Sequence, residues 1–210
     1  IEPELLISAA KKNSNRIIII DESFIDFLPD VSSKTLIGKN IPANLVVVKS
    51  LTKFFAIPGL RLGMAYGQAE TIRPIQYAQL PWSVNAYAQA AATILYDDTK
   101  YLDKSRKEVI LLRESFTKKI AEFNRFSVYP SETNFILVKL PDDLSVLKLQ
   151  KDFFKRGILI RSCHNFEGLG EQYCRLAIRP KREIDYFISA LQAMVSGKKS
   201  YSSNGNVNTP

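Results

Sequence analysis

The 210-residue sequence has few of the residues that announce chemistry on their own: one histidine, two cysteines, one tryptophan and two methionines. Cys163 and Cys174 form no CxxC pair, and His164 has no second histidine near it. This argues against a zinc site and a disulfide-stapled scaffold, and a reducing, cytoplasmic setting is expected. No apolar run reaches the length of a membrane span, and the opening residues show no leader pattern. The formal net charge is +8, but the basic residues are scattered in pairs such as Lys11-Lys12, Lys118-Lys119 and Lys198-Lys199. No basic stripe interleaved with aromatics is present, so nucleic-acid binding is a poor explanation. The charge is compatible with anionic ligands. With 46% hydrophobic residues there is material for one good core or one and a half domains.

What is there centres on Val46 to Gly63. An apolar strand, Val46-Val47-Val48, runs into Lys49-Ser50-Leu51-Thr52-Lys53-Phe54-Phe55-Ala56. A turn through Pro58-Gly59, then Arg61, leads to a second apolar run from Leu62 to Tyr66. Ser50 and Thr52 offer hydroxyl donors, and Arg61 offers a planar fork of N–H groups suited to phosphate. Lys53 lies between them in the chain. Its apolar neighbours and the nearby positive charge are expected to favour the neutral, nucleophilic amine. The plain alternative is a surface lysine and arginine in a strand–loop–strand crossover.

Upstream, Arg16-Ile17-Ile18-Ile19-Ile20 is a continuous β-branched run, expected as a strand buried on both faces of a parallel sheet. It ends at Asp21. Ligands of open α/β sheets gather at the carboxyl ends of strands, so Asp21 and Lys53 are both expected at one crevice. As an alternative, Asp21 caps the turn that follows it.

In order, the chain reads as a helix over residues 3–12, a strand, a polar connection over 29–44, the lysine segment between two strands, a short helix over 70–79, the Gln79-Leu80-Pro81-Trp82 loop and an alanine-rich helix over 86–96. Trp82 is either a packed aromatic at a helix start or part of the mouth of a site. A long amphipathic helix over 101–124 follows. Strands near 126–130, 134–138, 158–161 and 173–178 come next, with helices over 144–156 and 181–195. The fold class is α/β: part of a large sheet domain over 1–110, then a small α+β domain over 111–195. Residues 196–210 are expected to be a disordered tail. Arg161 and Arg175 each sit in an apolar strand context, where a buried arginine needs an anionic partner. They bind a ligand anion or pair with Glu167 or Glu171. Arg179, at a strand exit, is the weaker candidate.

The spacing of Ser50, Lys53 and Arg61 resembles the cofactor-lysine segment of pyridoxal phosphate (PLP) enzymes of the aspartate aminotransferase fold type. The longer stretches Ser50 to Gly63, Gln79 to Ala86, Ile158 to Cys163 and Tyr173 to Arg179 are similar to the L-threonine O-3-phosphate decarboxylase family of cobalamin biosynthesis. That resemblance covers about residues 1–195 and corresponds to the C-terminal part of such enzymes. It implies PLP on Lys53, with Asp21 at the ring nitrogen and Ser50, Thr52 and Arg61 at the phosphate. It also implies Arg161 and Arg175 at the anions of a phosphorylated amino acid, and a homodimer. Phe24 stands where aminotransferases usually carry a tyrosine, and it fits the decarboxylases. Two other readings remain: transamination of the histidinol-phosphate type, and a non-catalytic truncated remnant.

Overall fold

A computed structural model describes residues 1–195; the tail expected to be disordered lies outside the described residues. The chain divides into two compact units, Ile1–Ile110 and one from Leu111 onward.

The first unit opens with helix α1, Pro3–Lys12, which begins at a proline, the residue pre-set for a first turn. Strand β1, Ile18–Asp21, runs parallel to β2, Leu45–Ser50. The connection holds a 3-10 turn at Ile25–Phe27 and a short helix α2, Val31–Lys34, capped by Asp30. Glu22 is buried and anchors that connection by accepting from Thr35 Oγ1 at 2.6 Å and from the Leu36 N–H at 2.7 Å. Strand β3, Gly63–Tyr66, returns antiparallel to β2, giving the order β1-β2-β3. At Gly63 a Cβ would lie 3.2 Å from the Lys49 carbonyl oxygen, tighter than an ordinary contact. Helices α3, Ala69–Ala78, and α4, Ala86–Ala92, follow. Two apolar clusters hold the unit. One joins Ala10, Leu36, Ile41, Leu45 and Val47; the other joins Phe27, Leu51, Phe54, Phe55, Leu62 and Ala88.

Two expectations change in this unit. The isoleucine run is covered on one face only, since Ile17 and Ile19 are 62% and 64% exposed. β1 is an edge strand, and the described residues place no layer over its second face. The alanine-rich helix ends at Ala92, and Trp82 is 96% exposed with φ +60°, so it is not a packed aromatic.

Helix α5, Thr99–Ala121, leads into the second unit. There β4, Ser127–Val128, β5, Phe135–Lys139, β6, Arg161–Ser162, and β7, Tyr173–Ala177, form an antiparallel sheet in the order β4-β5-β7-β6. Helices α6, Val146–Phe154, and α7, Lys181–Val195, contribute apolar faces to a single core. Phe153 is fully buried at its centre and stacks on Phe187 with ring centroids 4.8 Å apart. The strand expected over 158–161 shrinks to two residues, because the chain leaves α6 through Gly157 at φ +71° and pairs with β7 only from Arg161. Among the described residues, no helix is long and apolar enough to cross a membrane.

Candidate active site

Parallel pairing of β1 with β2 sets Asp21 beside Val48, so the carboxyl ends of both strands share one edge of the sheet. Asp21 and Ser50 end the two strands, and Lys53 follows three residues on.

A hydrogen-bonded chain runs along that edge. The Ser23 N–H donates to Asp21 Oδ1 at 2.8 Å. The Ser50 N–H donates to Ser23 Oγ at 3.0 Å. Ser50 Oγ and Thr52 Oγ1 are 2.8 Å apart, and Lys53 Nζ donates to Thr52 Oγ1 at 3.1 Å. An ammonium has no acceptor capacity, so Thr52 Oγ1 accepts from Lys53, and in the Ser50–Thr52 contact either hydroxyl can donate. Asp21 closes a turn with one oxygen, the alternative weighed for it, and ends β1 on the sheet edge where β2 ends at Ser50. Ser23 is the link that sequence reasoning did not identify. Its signal was the Asp-x-Ser spacing of an Asx turn.

Lys53 is exposed, a correction to the apolar surround expected for it. Phe54 and Phe55 are buried at 3% and 6% exposure and turn into the core, while the lysine between Thr52 and Phe54 turns outward. Arg61 is also exposed, with left-handed backbone at φ +54°, and its Nη1 donates to the Pro58 carbonyl at 2.9 Å.

A second group was missed altogether. Lys49 and Asp26 form a buried ion pair at 2.8 Å, with side chains 5% and 4% exposed. The Tyr96 hydroxyl donates to Asp26 Oδ2 at 3.3 Å. Burial alone would push the Lys49 ammonium down, but hydrogen bonding and charge from Asp26, with Tyr96, outweigh it and hold Lys49 above its ordinary range. Burial, with Asp26 adding to it, raises the Tyr96 phenol.

In the second unit, Arg161 and Arg175 are partners in the β6–β7 register. Both are exposed, contrary to the buried setting read from their apolar neighbours. Alternation along β7 turns Cys174 and Leu176 into the core and Arg175 out. Arg175 lies over the Phe135 ring at 4.8 Å; Arg161 donates to Asn165 Oδ1 at 3.3 Å and lies 5.8 Å from the Phe166 ring. Among the described residues neither arginine has a carboxylate partner, whereas Arg179 is bound by Glu183 at 2.8 Å. Glu167 and Glu171 are not their partners.

Residues 4–191 match the profile of the aminotransferase class I and II family. The chain belongs to that family. A threonine-phosphate decarboxylase of Salmonella typhimurium is 33% identical over 89% of this chain and 50% of its own length. Among solved structures, the histidinol-phosphate aminotransferase of Clostridium acetobutylicum is 31% identical, with a TM-score of 0.85, over 92% of this chain and 58% of that one. The L-threonine-O-3-phosphate decarboxylase of Porphyromonas gingivalis is 26% identical, with a TM-score of 0.79, over 93% and 60%. The chain thus spans about half the length of the curated threonine-phosphate decarboxylases it matches. Its α/β fold is that of the fold-type-I PLP enzymes, and PLP is the family cofactor.

The residues present fit PLP. A primary amine, two linked hydroxyls and a carboxylate on one sheet edge form a set of partners for an aldehyde, a phosphate and a pyridinium.

Proposed function

We propose that the protein of which this chain is part decarboxylates L-threonine O-3-phosphate to (R)-1-amino-2-propanol O-2-phosphate, a step of cobalamin biosynthesis. The observation that carries the reading is the hydrogen-bonded chain from Asp21 through Ser23, Ser50 and Thr52 to Lys53. Lys53 supplies the amine that holds PLP. Ser50, Thr52 and Arg61 take its phosphate, and Asp21 keeps the ring nitrogen protonated. The cofactor, once bound, is an electron sink for charge developing at the substrate Cα. Arg161 and Arg175, two guanidinium groups without carboxylate partners among the described residues, take substrate anions and fix which Cα bond is presented for cleavage. Phe24 has no donor for the cofactor ring oxygen, and its ring is engaged with Phe27 at 6.3 Å. We also assign the units 1–110 and 111–195 to the large and small domains of a homodimeric enzyme.

A second reading, histidinol-phosphate transamination, is favoured by the likeness to the Clostridium acetobutylicum structure. One experiment separates them. Full-length protein is given PLP and L-threonine O-3-phosphate without 2-oxoglutarate. Carbon dioxide release, lost in Lys53→Ala, supports decarboxylation. No carbon dioxide there, with amino exchange in a parallel reaction supplied with histidinol phosphate and 2-oxoglutarate, overturns it. A full-length protein that takes up no PLP supports the non-catalytic reading.

A further inference from the structure

We infer that Asp26, Lys49 and Tyr96 are positioning residues: a polar brace, with the buried Asp26–Lys49 pair at its centre and Tyr96 part-exposed at its rim, that holds the Lys53 loop in register. The inference rests on the reading of Lys53 as the cofactor lysine, and it concerns how that lysine is held.

The brace touches the loop on both sides of Lys53. Before it, Lys49 immediately precedes Ser50, and its side chain is tied to Asp26 in the 3-10 turn. After it, the Tyr96 ring packs edge-on against Phe55 with centroids 5.1 Å apart. The same ring lies 5.2 Å from the Lys49 ammonium, and its hydroxyl meets Asp26. Arg106 closes the circuit: its Nε donates to the Asp26 carbonyl at 3.1 Å, and its guanidinium lies 5.8 Å from the Phe54 ring.

Chain cohesion alone does not require this arrangement. An apolar pair of similar volume would join β2 to the turn without taking two charges out of water. What an ion pair adds is direction, because both partners must meet in one geometry. The loop needs that. Ala56 holds φ +53°, a left-handed conformation that a residue with a Cβ avoids and that persists only where its surroundings over-determine it. Ser50 Oγ, Thr52 Oγ1 and Lys53 Nζ keep their 2.8 Å and 3.1 Å contacts only while that backbone stays in place. The brace also separates the two lysines of the segment. Lys49 is sequestered against Asp26, and Lys53 is left exposed as the accessible amine.

The test uses full-length protein carrying Asp26→Asn together with Lys49→Met, which removes both charges and orphans neither. Hydrogen exchange in the cofactor-free protein should accelerate about tenfold across residues 50–57 and stay unchanged across residues 3–12. PLP affinity, read from its absorbance band, should fall about tenfold, while the single variant Lys49→Arg keeps most of it. Tyr96→Leu, at a part-exposed position, gives a second route to the same loosening should the double variant fail to fold. Exchange across 50–57 equal to wild type in a folded variant overturns the inference, as does a variant with wild-type PLP affinity when the wild type binds PLP. A wild-type protein that takes up no PLP refutes the proposed function instead, and the exchange result alone then decides the brace.

Discussion

Arg161 and Arg175 face each other as direct partners across the antiparallel pair β6–β7. Like charges in that position repel, and the described residues supply no carboxylate to relieve them. That repulsion supports the anion-binding role proposed for the pair.

Arg161→Thr should therefore raise stability slightly, by roughly 0.2–1 kcal/mol at low salt, while weakening substrate binding. Urea midpoints give the first quantity and KM the second. Arg175→Ala should likewise raise KM but leave the PLP absorbance band in place. A variant that loses PLP rather than substrate would count against the assignment.

The thiols should be silent. Burial pushes the Cys174 thiol up to about 12, and burial raises Cys163 despite the opposing charges of Arg175 and Arg161. The thiolate is the reactive species, and both residues are buried. At pH 8 a disulfide-exchange reagent should titrate neither thiol in native protein and both after denaturation. Fast native labelling of Cys174 would contradict its place in the core.

Much of this was legible in the chain. The α/β class and the place of the lysine segment follow from patterning: a β-branched run, a hydroxyl-rich strand exit, and helices at three- and four-residue steps. The burial of side chains was less legible. Apolar neighbours suggested that Lys53, Arg161 and Arg175 were enclosed, yet in each case the neighbours turn inward and the charged residue turns out, by alternation along β6 and β7 for the arginines and by the turn after β2 for Lys53. Lys49 shares the buried face of Val47, but its residue type hid this. A lysine between Val48 and Ser50 reads as solvated, and only Asp26 and Tyr96, distant in sequence, make its burial tolerable. Ser23 was missed for a like reason, since its hydroxyl acts on a backbone N–H twenty-seven residues away.

Thr52 tests the hydroxyl chain directly. It is buried at 4% exposure, and its oxygen is shared by Ser50 and Lys53. Thr52→Val keeps the shape and deletes the oxygen; Ser50 and Lys53 are open enough to turn to water, so the stability cost should be about 1 kcal/mol or less. PLP affinity should drop by about tenfold or more. Thr52→Ser should restore most of it, and equal affinity in Thr52→Val would remove Thr52 from the site.

The buried pair makes the last prediction, which concerns stability. Removing one partner strands the other charge, so Lys49→Met or Asp26→Asn alone should cost about 3–5 kcal/mol. The two together should recover most of that loss. The pH dependence has a definite sign. The folded state holds the Lys49 proton more tightly than the unfolded chain, because Asp26 and Tyr96 outweigh the burial that opposes it. Its contribution is complete below the ordinary lysine value of about 10.4. It is lost as the pH rises from there through the higher folded value. The raised Tyr96 phenol acts in the same direction on the alkaline side. Urea midpoints measured from pH 8 to 11 should therefore fall more steeply in wild type than in the Asp26→Asn, Lys49→Met double variant. Parallel curves for the two proteins would show that the pair carries no alkaline linkage.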